Sequence, residues 1–460
     1  MKRFSRSVLS FLLALPACLL AQQQPAAWSI RDAVERALQN YPSIRVSQEQ
    51  ITAAAAGIQL ARTAYLPRLD LLAQANRATR NNVFGMMLPQ SVIPSISGPV
   101  LGTNNFGTVW GSAAGGLVTW EPFDFGLRRA NVAIASAGRA QADATLKRTR
   151  YEVAVAAADA YLTLAAAEET VRAAQAGVDR AETVLKTINA LVNAELRPGA
   201  DASRAQAELA AARTQQIQAQ QAVGVARALL AQFTSGDPNQ VAIDAGKFLS
   251  IPPDPEEQAF NASLNPLSEE QDAAVERAKT ELRAMERSYF PRFYLQASAY
   301  GRGTGAELNG DRLGGLNGLG PNVQNYALGF SVTFPVFDIA SIRARESVQS
   351  ANIRAQTARY QQIATDLRAR WNAAEARLTG ARSIAANTPV QVRAARAAAE
   401  QATARYRSGL ANIDEVAEAQ RLETQAEIDD ALARLAIWRG LLEIATAAGD
   451  IQPFLFEASQ

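Results

Sequence analysis

Two hydrophobic periods share this chain. After Pro67, Leu69, Leu71, Ala73 and Ala75 alternate with Asp70, Gln74 and Asn76; after Pro291, Phe293, Leu295, Ala297 and Ala299 alternate with Tyr294, Gln296 and Ser298. A period of two predicts strands with one apolar and one polar face. The same period returns in Tyr326, Leu328, Phe330, Val332 and Phe334, and more faintly in Trp110, Ala114, Val118 and Trp120. Elsewhere the pattern is alanine-rich and helical. From 126 to 196 it runs for about 70 residues without proline, enough for roughly 105 Å of helix at about 1.5 Å per residue. A second long helix is predicted over 340–406, with shorter ones over 29–64, 201–233, before Ser288 and over 413–448. The two short helices beside each long one could lie end to end along it. Alanine at the seams lets helices approach closely, and Gln, Arg and Glu elsewhere keep their surfaces wet, as in coiled-coil walls. Pro389 is expected to kink or locally open its helix.

The elements come in two copies of one plan. Tyr65-Leu66-Pro67-Arg68-Leu69-Asp70-Leu71 recurs as Tyr289-Phe290-Pro291-Arg292-Phe293-Tyr294-Leu295, the prolines 224 positions apart. Pro122-Phe123-Asp124-Phe125-Gly126 is matched by Pro335-Val336-Phe337-Asp338-Ile339, and Arg197-Pro198-Gly199 by Arg407-Ser408-Gly409. Three landmarks in the same order mark a tandem duplication. Residues 22–234 form a first repeat, 235–260 a Pro- and Gly-rich linker, 261–449 a second repeat and 450–460 a tail. Each repeat reads helix, strand, loop, strand, long helix, turn, helix.

Charge and rare residues narrow the chemistry. The chain has 46 basic and 44 acidic residues, so no excess of one sign points to nucleic acid. It has no histidine and one cysteine, Cys18, which removes Ser-His-Asp triads, Cys-His pairs, His-containing zinc sites and disulfide scaffolds. The acids lie along helices with no sign of two carboxylates converging in a pocket, so no enzyme is expected. The glycine-rich loop over 301–322 lacks the Lys-Ser/Thr ending of a phosphate-binding loop.

The amino terminus carries Lys2, Arg3 and Arg6, an apolar stretch from Val8 to Leu15, and small residues at Ala17 and Ala21, so residues 1–21 read as a secretory signal peptide. Leu15-Pro16-Ala17-Cys18 also fits a lipobox, which would leave Cys18 lipidated, whereas the leucines that follow fit continued signal sequence. Beyond it no run of 18 apolar residues predicts a membrane-spanning helix. A chain of this kind crosses a membrane as a closed β-barrel or not at all. The strand alternation suits a barrel wall with aromatics near the interfaces, and it suits a soluble sheet with one wet face. Four strands are too few to close a barrel; three copies supply twelve.

The duplicated order, the Tyr-x-Pro strand openings, the Phe-Asp strand-to-helix turns and the Arg-x-Gly tips together resemble the TolC-like outer membrane efflux family, from about Trp28 to Ala448. The resemblance implies a mainly α fold with a small β part: a long helical coiled-coil barrel, plus four strands per chain contributing to a twelve-stranded trimeric barrel. It implies an outer-membrane duct that is passive, needs no cofactor and extends into the periplasm. It also implies partners: two further copies, outer-membrane lipid, a periplasmic adaptor, and an inner-membrane pump or ABC transporter for efflux or type I secretion. The competing reading is a secreted coiled-coil structural or adhesive protein without a channel.

In the family, acidic residues six and nine positions after the second tip glycine line the narrowest part of the periplasmic entrance. Counted from Gly409, these are Glu415 and Glu418, with Asp414 beside them. Glu415 and Glu418 share a helix face at i and i+3. In a trimer they form two stacked carboxylate rings that favour cations. The bland alternative is a set of first-turn acids favoured by the helix dipole. Arg197, Gly199, Arg407, Gly409 and Leu410 at the tips are the candidate adaptor-docking residues. Ala411 stands where some members carry a basic residue, so a gate-locking salt bridge from that position is not expected.

Overall fold

In the computed structural model, residues 27–79, 106–234, 236–254, 259–307 and 311–459 are described. The signal segment, Cys18 and most of the loop expected over 81–107, whose sequence is apolar at Met86, Met87, Leu88, Val92, Ile93 and Ile96, lie outside them.

Two helices of 67 and 69 residues form the spines of the two repeats: α3 (Leu127–Asn193) and α6 (Ile339–Arg407). Beside α3 stand α1 (Ile30–Asn40) and α2 (Pro42–Thr63) at one end and α4 (Gly199–Thr234) at the other. Between α3 and α6 stand α5 (Pro266–Arg287) and α7 (Ile413–Ala448). The half-length helices thus stack end to end, as their lengths suggested. One helix predicted over 29–64 is two, because Tyr41 is extended and Pro42 restarts the helix at its first position. Conversely, α6 continues through Pro389 with helical backbone on both sides, and Thr388 beside it donates to Asp430 at 2.7 Å.

Four strands form one antiparallel sheet in sequence order: β1 (Arg68–Thr79), β2 (Thr108–Phe123), β3 (Arg292–Thr304) and β4 (Val323–Thr333). Directly paired residues share a face. The registers place Leu71 opposite Gly116, Val118 opposite Ala297, Leu295 opposite Phe330 and Ala299 opposite Tyr326. All four alternations therefore fall on the same side. Leu71 is 77% exposed there, Tyr326 90% and Leu328 75%. The opposite face carries Asp70, Gln74, Asn76, Gln296 and Ser298. The two edges of the sheet, β1 and β4, have no strand partner among the described residues.

The main core lies at the waist, where α1, α3, α4, α7, the linker and the tail meet. Tyr161, Phe248 and Trp438 are buried in contact, with ring centroids 5.6 and 5.2 Å apart. The Tyr161 hydroxyl lies 2.9 Å from the carbonyl oxygens of Trp28 and Asp244. Trp438 donates its indole N–H to Ser250 at 3.1 Å. The linker is thus packed against the helices. Residues after 449 add α8 (Gln452–Glu457), which buries Phe454 and Leu455 in the same core. Farther along, the helix seams are lined by small side chains such as Ala144, Ala174, Ala181, Ala381 and Ala385.

Candidate functional site: the helical tips

Each long helix ends in the same backbone device. At the second tip the Leu410 N–H reaches the Arg405 carbonyl and the Gly409 N–H reaches that of Tyr406, at 2.8 and 3.1 Å. At the first, the Leu196 N–H reaches Leu191 and the Glu195 N–H reaches Val192, at 2.9 and 3.0 Å. These are paired Schellman closures, which need one left-handed residue. Gly409 fills that place with φ +79° and Glu195 with φ +57°. The match of Gly199 to Gly409 is therefore corrected: Glu195 corresponds to Gly409, and Gly199 already lies in α4. A glutamate in the left-handed position, where glycine is the usual residue, disguises this equivalence in the sequence. Leu196 thereby joins the tip as the counterpart of Leu410, the two being 69% and 71% exposed.

Between the tips, Arg197 corresponds to Ala411. Its guanidinium stacks on the Tyr406 ring at 4.4 Å and donates to the Tyr406 carbonyl. Tyr406 in turn donates its hydroxyl to Asp201 at 2.7 Å. Burial, then the bond to Asp201, pushes the Tyr406 pKa up to about 12. Beneath this contact Ile188, Ala205, Tyr406, Ile413 and Val416 form a small buried cluster that joins the two repeats.

The three candidate gate acids follow Asn412, which caps α7 by accepting from the Glu415 N–H at 2.9 Å. They share the first turns of one helix, and each stands beside an arginine. Asp414 lies 3.2 Å from Arg204, Glu415 lies 3.8 Å from Arg405, and Glu418 lies 3.1 Å from Arg421. Glu208 lies near both Arg204 and Arg421, at 3.3 and 3.7 Å. The acids are thus part of a mixed-charge belt, a feature their spacing alone did not show. Arg407 is exposed at the end of α6.

One helical turn beyond Arg421 on α7, a more buried network ties the repeats. Arg180 of α3 lies 2.9 Å from Glu427 and 3.7 Å from Glu423, and donates to Thr424 at 2.8 Å. Arg396 of α6 meets the same two carboxylates at 3.4 and 3.1 Å. Among the described residues no helix is long and apolar enough to cross a membrane, and no group of His, Cys, Asp or Glu could hold a metal ion.

A duplicated helical wall carrying a four-stranded sheet, apolar on one face and polar on the other, is the architecture of an export channel. The chain belongs to the outer membrane efflux protein family, whose model matches residues 33–236 and 263–450. No curated protein matches it by sequence. Among solved structures, it is similar to the Campylobacter jejuni CmeC outer membrane channel at 15% identity, covering 94% of this chain and 89% of that one, with a TM-score of 0.70. The outer membrane protein VceC of Vibrio cholerae is 18% identical over 92% of this chain and 96% of that one, with a TM-score of 0.68. The open-state Neisseria gonorrhoeae MtrE outer membrane channel is 20% identical over 92% and 89%, with a TM-score of 0.67. The protein is an outer-membrane efflux channel.

Proposed function

We propose that three copies close a twelve-stranded barrel continued by a helical tunnel, forming the passive outer-membrane duct of a tripartite export system. The observation that carries this reading is the sheet: one apolar face and, among the described residues, two edges without a strand partner. Backbone groups at such edges must be satisfied within lipid, and ring closure satisfies them. An inner-membrane pump or ABC transporter supplies the energy, and an adaptor meets the tips at Leu196, Arg197, Arg407, Gly409 and Leu410. Asp414, Glu415 and Glu418 set the charge of the entrance.

Membrane fractionation with boiled and unboiled gels tests the assembly: an outer-membrane trimer that needs detergent is expected, and a soluble monomer or rod-like dimer overturns it. Conductance in planar bilayers tests the gate. Glu415→Gln removes the carboxylate beside Arg405 and Glu418→Gln the nearer of the two beside Arg421, so each is expected to shift selectivity toward anions. Unaltered selectivity in both variants would remove these residues from the pore lining.

A further inference from the structure

The duplication is regular enough to serve as a ruler. Residues of β1 and β3 correspond at a spacing of 224, and those from β2 and β4 through the ends of α4 and α7 at a spacing of 214. Under these spacings the first hairpin becomes the second without slippage: Leu69 opposite Val118 becomes Phe293 opposite Val332, and Ala78 opposite Val109 becomes Arg302 opposite Val323. The tips obey the same spacing, with Glu195 and Gly409 in the same left-handed position.

The β2–β3 ladder joins repeat one to repeat two, so it describes how any repeat meets the next. In it Val118 faces Ala297, Trp120 faces Leu295, Leu117 faces Ser298 and, past a bulge, Phe123 faces Phe293. Applying the spacings once more carries the β2 residues onto β4 and the β3 residues onto β1 of a second copy. We infer that β4 of one copy pairs with β1 of the next in one register, with Val332 opposite Ala73, Phe334 opposite Leu71, Ser331 opposite Gln74 and Phe337 against Leu69. This rests on the trimeric reading above and supplies its contact surface.

One further observation agrees with this register. Within the chain, Phe125 stacks on Phe290 at 5.2 Å and Phe123 lies 6.1 Å from Phe293, so the first strand-to-helix turn is seated in an aromatic socket. The corresponding knob and socket at the outer edges are open: Phe337 is 98% exposed, Leu66 66% and Leu69 61%. Below the sheet, the same operation lays α6 along the next copy's α2 and α4, as α3 lies along α5 and α7, and covers Val225 on α4.

The test is oxidative cross-linking in isolated outer membranes. Gln74→Cys with Ser331→Cys is expected to give covalent dimers and trimers on non-reducing gels. The yield should be at least about fivefold above Leu72→Cys or Asn76→Cys paired with Ser331→Cys, because directly opposite positions are far closer than diagonal ones. Stronger linking by a shifted pair, or by none of the three, overturns the register while an unboiled trimer band leaves the assembly standing. A monomeric unmodified chain overturns both. Phe337→Ser should lower the temperature at which the trimer band is lost, and Phe337→Leu should restore it; equal loss in both variants removes the knob from the interface.

Discussion

The guanidinium of Arg197 lies 4.4 Å above the ring of Tyr406, joining the turn after α3 to the last turn of α6. Because Arg197 also holds the Tyr406 carbonyl and Tyr406 holds Asp201, one aromatic ring fastens both tips of a subunit. A partly shielded cation–π contact of this kind stabilises by about 1–2 kcal/mol. Arg197→Ala is therefore expected to raise the conductance of reconstituted channels severalfold without changing trimer yield. Unaltered single-channel records would separate this contact from the gate.

The pH dependence of that contact follows from the Tyr406 hydroxyl, held up to about 12 mainly by burial. A raised tyrosine keeps its proton, and with it the bond to Asp201, until pH climbs through the folded value. Conductance is expected to stay level from about pH 7 to about pH 10 and to rise only beyond that. An increase near pH 9 or 10 in the native channel, absent in Tyr406→Phe, would contradict the assignment.

Arg180 bridges the repeats through Glu423 and Glu427, and its loss leaves these two carboxylates, one of them 6% exposed, with the more exposed Arg396 as their arginine partner. Removing one partner of a buried pair costs about 3 kcal/mol, whereas an exposed partner costs under about 1 kcal/mol. Arg180→Ala should lower the thermal midpoint far more than Arg396→Ala, whose side chain is 56% exposed. Calorimetry or circular dichroism of the detergent-extracted protein distinguishes the two.

Glu169 on α3 is buried beside Arg172 at 2.9 Å, and burial raises its pKa despite that arginine. A carboxyl raised on folding favours the folded state most while protonated, and that contribution is lost as pH rises through the folded value. Glu169→Gln is thus expected to raise the neutral-pH midpoint by roughly 2–4 °C and to flatten its dependence on pH. A lower midpoint would show that the Glu169–Arg172 pair outweighs its desolvation.

Leu196 and Leu410 place matching apolar side chains on the two tips. Leu196→Asp and Leu410→Asp are each expected to abolish export of a pumped dye from whole cells while leaving an intact trimer in the membrane. Full export by both variants would move the adaptor contact elsewhere.

Much of this fold was legible because it depends on periodicity. α7 occupies 413–448 as the hydrophobic pattern predicts, and the four alternating strands meet on one face. What escaped was set by single backbone positions. The break at Tyr41-Pro42 was masked by hydrophobic periodicity on either side, although Pro at a helix start signals it. The first tip was misaligned because Arg-Pro-Gly resembles Arg-Ser-Gly in letters, while the left-handed position falls on Glu195. Two of the arginines beside the candidate gate acids come from α4 and α6, so local spacing exposes only Arg421, at i+3 from Glu418.

The open edges and apolar face of the sheet also constrain how the channel is made. A lone folded subunit presents Tyr326, Leu328, Phe330 and Leu71 to water beside two unsatisfied strand edges, a combination that invites aggregation. The helical wall has no strand edge, because its backbone hydrogen bonds close within each helix. Under the three-copy assembly proposed above, biogenesis has an order: the helices can fold in the periplasm on arrival, while sheet completion waits for sister chains and the bilayer to be met together.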